Sequence, residues 1–338
     1  MKNKQKGFTL IELMMAIALS LLVSLFAMGF FFANRVTYKS IDNTHQIQNT
    51  AQFVFDTLTK DIRSAGYMGC STTSNFYNVL NTQNTTDTWS NLKQPIRGFG
   101  GTSFDSSMVG AKANTNAIII TASDMERSTS IKFHSPNNSA NQFLLNSNPF
   151  VAGEKIVISD CANATILKID SVSAQTITYN SNGNCVLFGT IPALGASCNT
   201  VVPKAYAFTP GSLINGLRVR GYFIASSLSD ANKNSLFLID YTKGTGKQEI
   251  AENVEDMVIK YGIDSDNDGV VNQYLKYNNV SDWSKVASVE IELLFKSNEK
   301  NINITNQSYY LDGQLKTALD KSLYRSYKTY IAMRNKTS

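Results

Sequence analysis

The longest apolar segment of the chain lies near its N-terminus. Residues 8–33 form a run of 26 residues in which Glu12 is the one charged side chain. A helix of that length is roughly 39 Å long and can cross a hydrocarbon core of about 30 Å. Lys2, Lys4 and Lys6 precede the run. We therefore predict a single membrane span with its N-terminus in the cytoplasm and the remaining chain on the other side.

A second pattern extends this helix beyond the membrane. Between positions 47 and 65, apolar residues recur at helical intervals, the spacing of one face of an amphipathic helix. We predict one helix over about residues 8–65, whose second half packs on a sheet and which ends at Gly66. The apolar stripe comprises Ile47, Ala51, Val54, Phe55, Leu58, Ile62 and Ala65.

After residue 66 the pattern changes from helical spacing to short alternating segments. Residues 67–116 are rich in Asn, Thr, Ser and Gly and are predicted to be long loops. In residues 286–295, apolar side chains alternate with Ser288, Glu290 and Glu292, which predicts an antiparallel strand with one wet face. Strands are predicted at 117–121, 155–159, 164–170, 176–179, 186–188, 217–224, 235–241, 255–263, 286–295 and 323–333.

Together these segments predict an α+β fold, in which a long N-terminal helix packs on an antiparallel sheet. A second β-rich lobe is expected as an insertion at roughly residues 100–215. The chain is 43% hydrophobic and 17% charged, which excludes an intrinsically disordered protein. Its formal charge of +5 falls to +2 without residues 1–7, because 28 basic residues then face 26 acidic ones. No overall field therefore favours nucleic acid as a partner.

The chain has four cysteines, Cys70, Cys161, Cys185 and Cys198, in polar loops with no CxxC pair. A zinc site needs close ligand pairs, so two disulfides in an oxidising compartment are the favoured interpretation. Buried free thiols are the alternative, and three pairings are formally open.

The start of the apolar run resembles a known processing signal. Residues 6–13, KGFTLIEL, look like the prepilin peptidase recognition sequence of type IV pilins and type II secretion pseudopilins. A secretory signal peptide has a shorter apolar stretch, and an ordinary signal anchor does not explain a carboxylate within the apolar segment. The resemblance implies cleavage between Gly7 and Phe8 and N-methylation of Phe8. It also implies that Glu12 pairs with the N-terminal amine of an adjacent subunit during assembly.

Five further segments resemble the PilW-type minor pilins: residues 63–70, 159–161, 261–269, 282–283 and 332–335. The resemblance implies a pilin-like fold and a minor pilin that helps to initiate pilus assembly in a tip complex. The implied partners are prepilin peptidase, other minor pilins, the major pilin, the inner-membrane assembly platform and membrane lipid. The implied location is the inner membrane, with one span and a periplasmic head, and then the tip-proximal part of the pilus on the cell surface.

The predicted organisation has four parts. They are a leader at 1–7, a transmembrane assembly helix at 8–33, an amphipathic helix at 34–66 and a periplasmic head at 67–338. Two disulfides are predicted within the head. The predicted pairs are Cys70–Cys161 and Cys185–Cys198. Cys70 and Cys161 both lie in PilW-like segments, and Cys185 and Cys198 flank a loop that contains Gly and Pro.

An aspartate-rich loop is the one candidate metal site. Asp264, Asp266 and Asp268 alternate before a glycine, and Asn272 stands at the ninth position of the loop. Ca²⁺ loops place oxygen ligands in this way, but the twelfth position is Leu275, where an EF-hand has glutamate. A weaker Ca²⁺ loop and a plain polar turn both remain open, because Asp, Asn and Gly favour turns without a metal.

The sequence predicts no enzyme. His45 and His134 are its two histidines, and neither belongs to a pattern typical of a catalytic triad. Aromatic and basic residues alternate over 324–334, as in single-stranded nucleic-acid binders, but a terminal strand gives the same pattern. Two other functions stay open: a pseudopilin of a type II secretion system, and a periplasmic binding protein on an uncleaved signal anchor.

Overall fold

The structure, a computed structural model, describes residues 9–70, 75–80, 92–137, 140–180, 183–184, 207–299, 302 and 305–335. Its first element is one helix of 55 residues, α1 (Leu10–Ser64). The helix ends where predicted, because Gly66 adopts a positive φ of 73° that an L side chain rarely takes. The backbone N–H of Gly66 then donates to Thr121 O at 2.9 Å and starts the path into the head.

The two halves of α1 differ in what surrounds them. The segment Leu10–Phe31 has a mean hydropathy of 2.4, and its most hydrophobic stretch is not buried by the described rest of the chain. The second half buries the predicted stripe, in which Val54, Leu58 and Ile62 are fully inaccessible to solvent. Each such aliphatic side chain stabilises the fold by about 1.5–3 kcal/mol. One helix is thus both an apolar rod and part of the core of the head.

Antiparallel strands form the larger of the described sheets. Its spine is the pair β3 (Asn116–Asn137) and β9 (Leu213–Ser226). The neighbouring strands are β1 (Asn75–Asn78), β2 (Ile96–Gly100), β4 (Ala140–Leu145), β5 (Lys155–Ser159), β6 (Asn163–Lys168), β7 (Ser171–Ser173), β8 (Thr176–Thr178), β10 (Asn234–Asp240) and β11 (Thr245–Glu252). The order is β1-β6-β5-β9-β3-β4-β8-β7, with β2 on β3 and β10–β11 on β9. Within this described sheet, the β1–β6 pair is parallel.

A four-stranded antiparallel sheet carries the second half of α1. It contains β12 (Val254–Ile263), β13 (Gln273–Leu275), β14 (Val286–Lys296) and β17 (Tyr324–Ala332) in the order β13-β12-β14-β17. The apolar stripe of α1 shares one core with residues of β12, β14 and β17, among them Ile259, Ile291 and Ile331. A separate hairpin consists of β15 (Ser308–Leu311) and β16 (Gln314–Thr317). The predicted α+β architecture is therefore confirmed.

Two of the sequence predictions for the head are wrong in part. Residues 67–116 are not all loop, since they contain β1 and β2. Their polar composition hides strands that are held by pairing with β6 and β3, which lie far away in the sequence. The predicted strand at 186–188 lies outside the described residues.

The second error concerns β14, which has no wet face. Glu290 and Glu292 are only 6% and 5% exposed. Lys260 of β12 and Lys328 of β17 flank Glu290 at 3.4 and 3.1 Å, and Asp312 N donates to Glu292 Oε2 at 3.0 Å. Burial alone would raise the pKa of Glu290, but bonding to Lys328 and the charge of Lys260 keep it below its usual value. Neighbouring strands supply these partners, so alternation within β14 alone could not reveal an ionic layer.

Candidate functional site: the two ends of the helix

The N-terminal end of α1 places Glu12 in its first turn. Thr9 is the N-cap, and its backbone N–H and Oγ1 donate to Glu12 Oε2 at 3.0 and 2.9 Å. Glu12 N donates back to Thr9 Oγ1 at 3.4 Å, which completes a capping box. The T-x-x-E spacing of Thr9 and Glu12 is the signal of this cap in the sequence. Gly7 and Phe8 lie outside the described residues, so their cleavage and methylation stay predictions.

The apolar half of α1 satisfies its few polar groups within itself. Ser20 Oγ donates to Ile17 O at 2.9 Å, and Ser24 Oγ donates to Ser20 O at 2.8 Å. A hydroxyl that bonds its own backbone costs little in a hydrocarbon environment, where no water can bond it. Glu12 is the remaining charged group of this half, and its capping bonds come from Thr9 alone.

The head end of α1 holds a buried carboxylate that the sequence analysis missed. Asp61 is 2% exposed, and both of its oxygens lie 3.2 Å from Arg220 Nη1. Tyr222 OH donates to Asp61 Oδ2 at 2.5 Å, and Arg218 Nη2 lies 3.7 Å from Oδ1. Burial and the charge of Asp61 raise the pKa of Tyr222. Three side chains of β9 thus fix the helix to the larger sheet. The signal in the sequence was the position of Asp61, a charged residue between Leu58 and Ile62 of the apolar stripe.

A disulfide fixes the chain just after α1. Cys70 and Cys161 are bonded, with their Cα atoms 5.3 Å apart. The bond joins the segment after the helix to the turn between β5 and β6, across a sequence separation of 91. The predicted pair is confirmed. Cys185 and Cys198 lie outside the described residues, so their predicted bond stays a prediction.

The aspartate loop between β12 and β13 does bring its three carboxylates together. One oxygen each of Asp264, Asp266 and Asp268 lies within 4.8 Å of the others. The loop also satisfies itself, since Asp264 accepts from the backbone N–H groups of Asp268 and Gly269 at 3.2 and 3.0 Å. Burial would raise the pKa of Asp264, but these donors keep it below its usual value.

The other predicted ligand of this loop points to a different partner. Asn272 Oδ1 accepts from the backbone N–H and the hydroxyl of Ser265 at 2.6 and 2.8 Å. Three carboxylates supply only part of the six to eight oxygens that Ca²⁺ takes. The arrangement is that of a polar turn supported by its own hydrogen bonds.

The aromatic and basic residues of β17 are largely engaged within the sheet. Tyr324 stacks on Tyr309, Tyr327 contacts Phe295 edge-on, and Lys328 pairs with the buried glutamates of β14. The strand interpretation accounts for these residues, whereas Arg325, Tyr330 and Arg334 are exposed.

The two histidines differ in their exposure to solvent. His45 is exposed on α1, whereas His134 lies in β3 and is 7% exposed. Phe208 N donates to His134 Nδ1 at 3.0 Å, so Nε2 carries the proton and donates to Tyr179 OH at 2.9 Å. Burial lowers the pKa of His134 to about 4. A neutral imidazole with both nitrogens bonded is a core residue and has no free nitrogen for catalysis.

Two family models match the chain. The model described as "Prokaryotic N-terminal methylation motif" matches residues 2–28, and the model described as "Type IV Pilus-assembly protein W" matches residues 221–335. The second match begins within β9 and extends through β10–β17, so it includes the four-stranded sheet that carries α1. No curated protein and no solved structure in the searched sets matches the chain.

Proposed function

We propose that this chain, whose family matches and apolar helix support a membrane-anchored type IV minor pilin of the PilW family, helps to initiate pilus assembly in a tip complex. Prepilin peptidase would cleave between Gly7 and Phe8 and methylate Phe8. The apolar half of α1 would hold the protein in the inner membrane, with its head in the periplasm. The family matches point to a structural protein without enzymatic activity.

One observation carries the proposal. The carboxylate of Glu12 stands at the first turn of a continuous helix whose other end is fixed to the head by Asp61. A charge in an apolar segment favours a partner, and its capping bonds come from groups of the same turn. The amine of a neighbouring processed subunit can therefore pair with Glu12 and set the axial position of the whole head.

The family matches support the proposed partners. Other minor pilins and the major pilin would contact the exposed apolar half, and the assembly platform would act on the inserted helix. A chain of 338 residues carries a large head, which suits a tip position better than a crowded shaft lattice. Neither family match favours the pseudopilin alternative.

The decisive test compares two substitutions of Glu12 in cells that lack the wild-type chain. Glu12→Val removes the charge and the carboxylate's part of the capping box, whereas Glu12→Gln keeps the capping bonds and removes only the charge. We expect both variants to insert in the membrane, and both to fall by about tenfold or more in sheared pili, because neither can pair with an amine. Normal incorporation of Glu12→Gln would refute the pairing role and leave only a capping role.

Mass spectrometry of the N-terminus tests the processing step separately. The proposal expects a mature chain that starts at methylated Phe8. An intact leader in the purified membrane protein would instead support the signal-anchored binding protein.

A further inference from the structure

A cavity of about 740 Å³ opens beside the head end of α1. We call it the α1-end pocket. Its described lining contains the cationic side chains Lys60, Arg63, Arg218 and Arg334 and the carboxylate of Glu126. Tyr67 and Met125 add apolar surface, and Met125 is 58% exposed although it is apolar. The cavity therefore combines positive charge with apolar walls.

Backbone bonds between distant segments hold these walls in place. Arg334 N donates to Arg63 O at 3.2 Å, which fixes the C-terminal segment to the last turn of α1. Ser123 N donates to Tyr67 O at 3.0 Å, and the Cys70–Cys161 disulfide lies at the same rim. A cavity built on a helix, a strand and a disulfide is a preorganised one, as binding sites require.

Two of the four cations have no side-chain partner within the part of the chain that the structure describes. Lys60 pairs with Glu126 at 2.9 Å, but both side chains are mostly exposed, so this pair is weak. Arg218 donates to Ser64 Oγ at 2.9 Å and lies near Asp61. Among the described residues, the guanidinium groups of Arg63 and Arg334 have neither a side-chain hydrogen bond nor an ion pair. Two guanidinium groups on adjacent backbone segments without a counter-ion favour an incoming carboxylate, which each can bind through two N–H donors.

The place of the pocket along the helix excludes a lipid headgroup. Arg63 lies 32 residues beyond Phe31, the end of the apolar segment. At about 1.5 Å per residue this is roughly 48 Å of helix. An anchored chain therefore holds the pocket far from the membrane surface.

The shape and charge of the pocket favour a peptide over a nucleic acid. Four described cations surround one concave site, whereas a nucleic-acid strand follows an extended basic groove. The chain without residues 1–7 carries a formal charge of only +2, too little for long-range attraction of a polyanion. The volume lies in the range of sites that enclose a ligand of a few residues.

We propose that the α1-end pocket binds an acidic peptide segment of a partner protein. A carboxylate of that segment pairs with Arg63 and Arg334, and an apolar side chain lies against Tyr67 and Met125. This inference rests on the proposed function in one respect, because a minor pilin contacts other subunits through its head. It places a partner contact at the far end of α1 from Glu12.

The test uses the full chain in nanodiscs of zwitterionic phosphatidylcholine, which has no net charge. The probe is a fluorescein-labelled peptide, acetyl-EFELE-amide, whose binding is followed by fluorescence anisotropy. We expect a dissociation constant below about 100 μM, and a loss of about tenfold or more in the double variant Arg63→Gln/Arg334→Gln. The matched control, Arg325→Gln/Lys243→Gln, removes two exposed cations elsewhere on the head and should bind like wild type.

Three further probes separate the alternatives. The neutral peptide acetyl-QFQLQ-amide should bind at least about tenfold more weakly, and equal binding would overturn the charge argument. A thymidine pentanucleotide that binds more tightly than the acidic peptide, and is lost in the same double variant, would replace the peptide by a nucleic acid. A gain in peptide affinity after removal of residues 336–338 would show that the C-terminus of this chain fills the pocket, which would also overturn a partner peptide.

The outcome is independent of the assembly test. Peptide binding by the purified chain needs no pilus, and Glu12 lies at the opposite end of the helix. If the double variant retains its wild-type melting temperature and still binds the peptide as wild type does, the proposed site is wrong and the minor pilin function stands. If the variant is destabilised, the single variants Arg63→Lys and Arg334→Lys keep the charge. A loss of about threefold or more in each then supports the bidentate contact, and unchanged binding overturns it.

Discussion

The carboxylates at the two ends of α1 have opposite surroundings. Among the described residues, Glu12 is exposed and bonded by Thr9 of its own turn, whereas Asp61 is 2% exposed and bonded by Arg220 and Tyr222 of β9. Local bonds of an exposed group can be exchanged for bonds to another subunit at little cost. The bonds of a buried carboxylate cannot, because removing any partner leaves a desolvated charge. One end of the helix is thus available for assembly, and the other is committed to the fold.

Removing the buried carboxylate should have the largest effect on stability. Asp61→Ala leaves Arg220 and the hydroxyl of Tyr222 without their acceptor in the core. We expect the free energy of unfolding of the head to fall by about 4 kcal/mol. Urea unfolding of the full chain in detergent, followed by near-ultraviolet circular dichroism, measures this.

Asp56→Ala is the matched control, since Asp56 is exposed on the same helix. We expect it to change the free energy of unfolding by no more than about 0.5 kcal/mol. Equal effects of the two substitutions would mean that Asp61 is not what ties α1 to the sheet.

The disulfide next to the head end should contribute somewhat less. Cys70→Ser/Cys161→Ser opens a loop with a sequence separation of 91, and removal of a native disulfide typically costs about 2–5 kcal/mol, so we expect about 3 kcal/mol. The same urea unfolding measures the loss. Addition of a reductant to the double variant should cause no further loss from this bond. A double variant as stable as wild type would show that the backbone bonds after Gly66 suffice to hold this segment.

A buried group without a charged partner gives a smaller, pH-dependent effect. His134 is bonded by Tyr179 and the backbone of Phe208, and its pKa is about 4 instead of 6.5. Between these values the unfolded chain binds the proton and the folded chain does not, so stability is full above pH 6.5 and falls as the pH decreases. We expect a loss of about 2 kcal/mol between pH 7 and pH 5 from this residue.

Unfolding curves at the two pH values measure this effect. His134→Gln should lower stability at both pH values but remove about 2 kcal/mol of the difference between them. His45→Gln on the exposed face of α1 is the control, and it should leave the difference unchanged. A pH dependence that survives His134→Gln intact would assign it to other groups.

The sequence was most informative where the structure depends on local spacing. The helical stripe predicted α1 and its end at Gly66, and the strand at Lys155–Ser159 has the bounds that alternation predicted. The Cys70–Cys161 bond was predicted by resemblance. These features need only neighbours along the chain or a familiar motif.

The sequence was least informative where partners come from distant strands. Nothing near Asp61 indicates that Arg220 and Tyr222, about 160 residues away, will meet it. Likewise, alternation predicts that Glu290 faces solvent, but in the fold it is buried, with Lys260 and Lys328 on either side. Paired charges across strands are a property of register, which a single sequence does not display.

The aspartate loop can be compared with the two carboxylates of α1, of which Glu12 is bonded locally and Asp61 by a distant strand. Asp264 resembles Glu12, because its bonds come from the backbone of its own loop at Asp268 and Gly269. We therefore propose that the loop keeps its shape without a metal, and we expect melting temperatures in EDTA and in about 5 mM CaCl₂ to agree within about 1 °C. The variant Asp266→Asn/Asp268→Asn, which keeps Asp264, serves as the control for calcium bound elsewhere. If calcium raised the melting temperature of the wild type by about 3 °C and not that of the variant, the loop would be a calcium site with a dissociation constant near or below about 1 mM, because about 5 mM calcium is a fivefold excess over that constant and stabilises by about 1.1 kcal/mol.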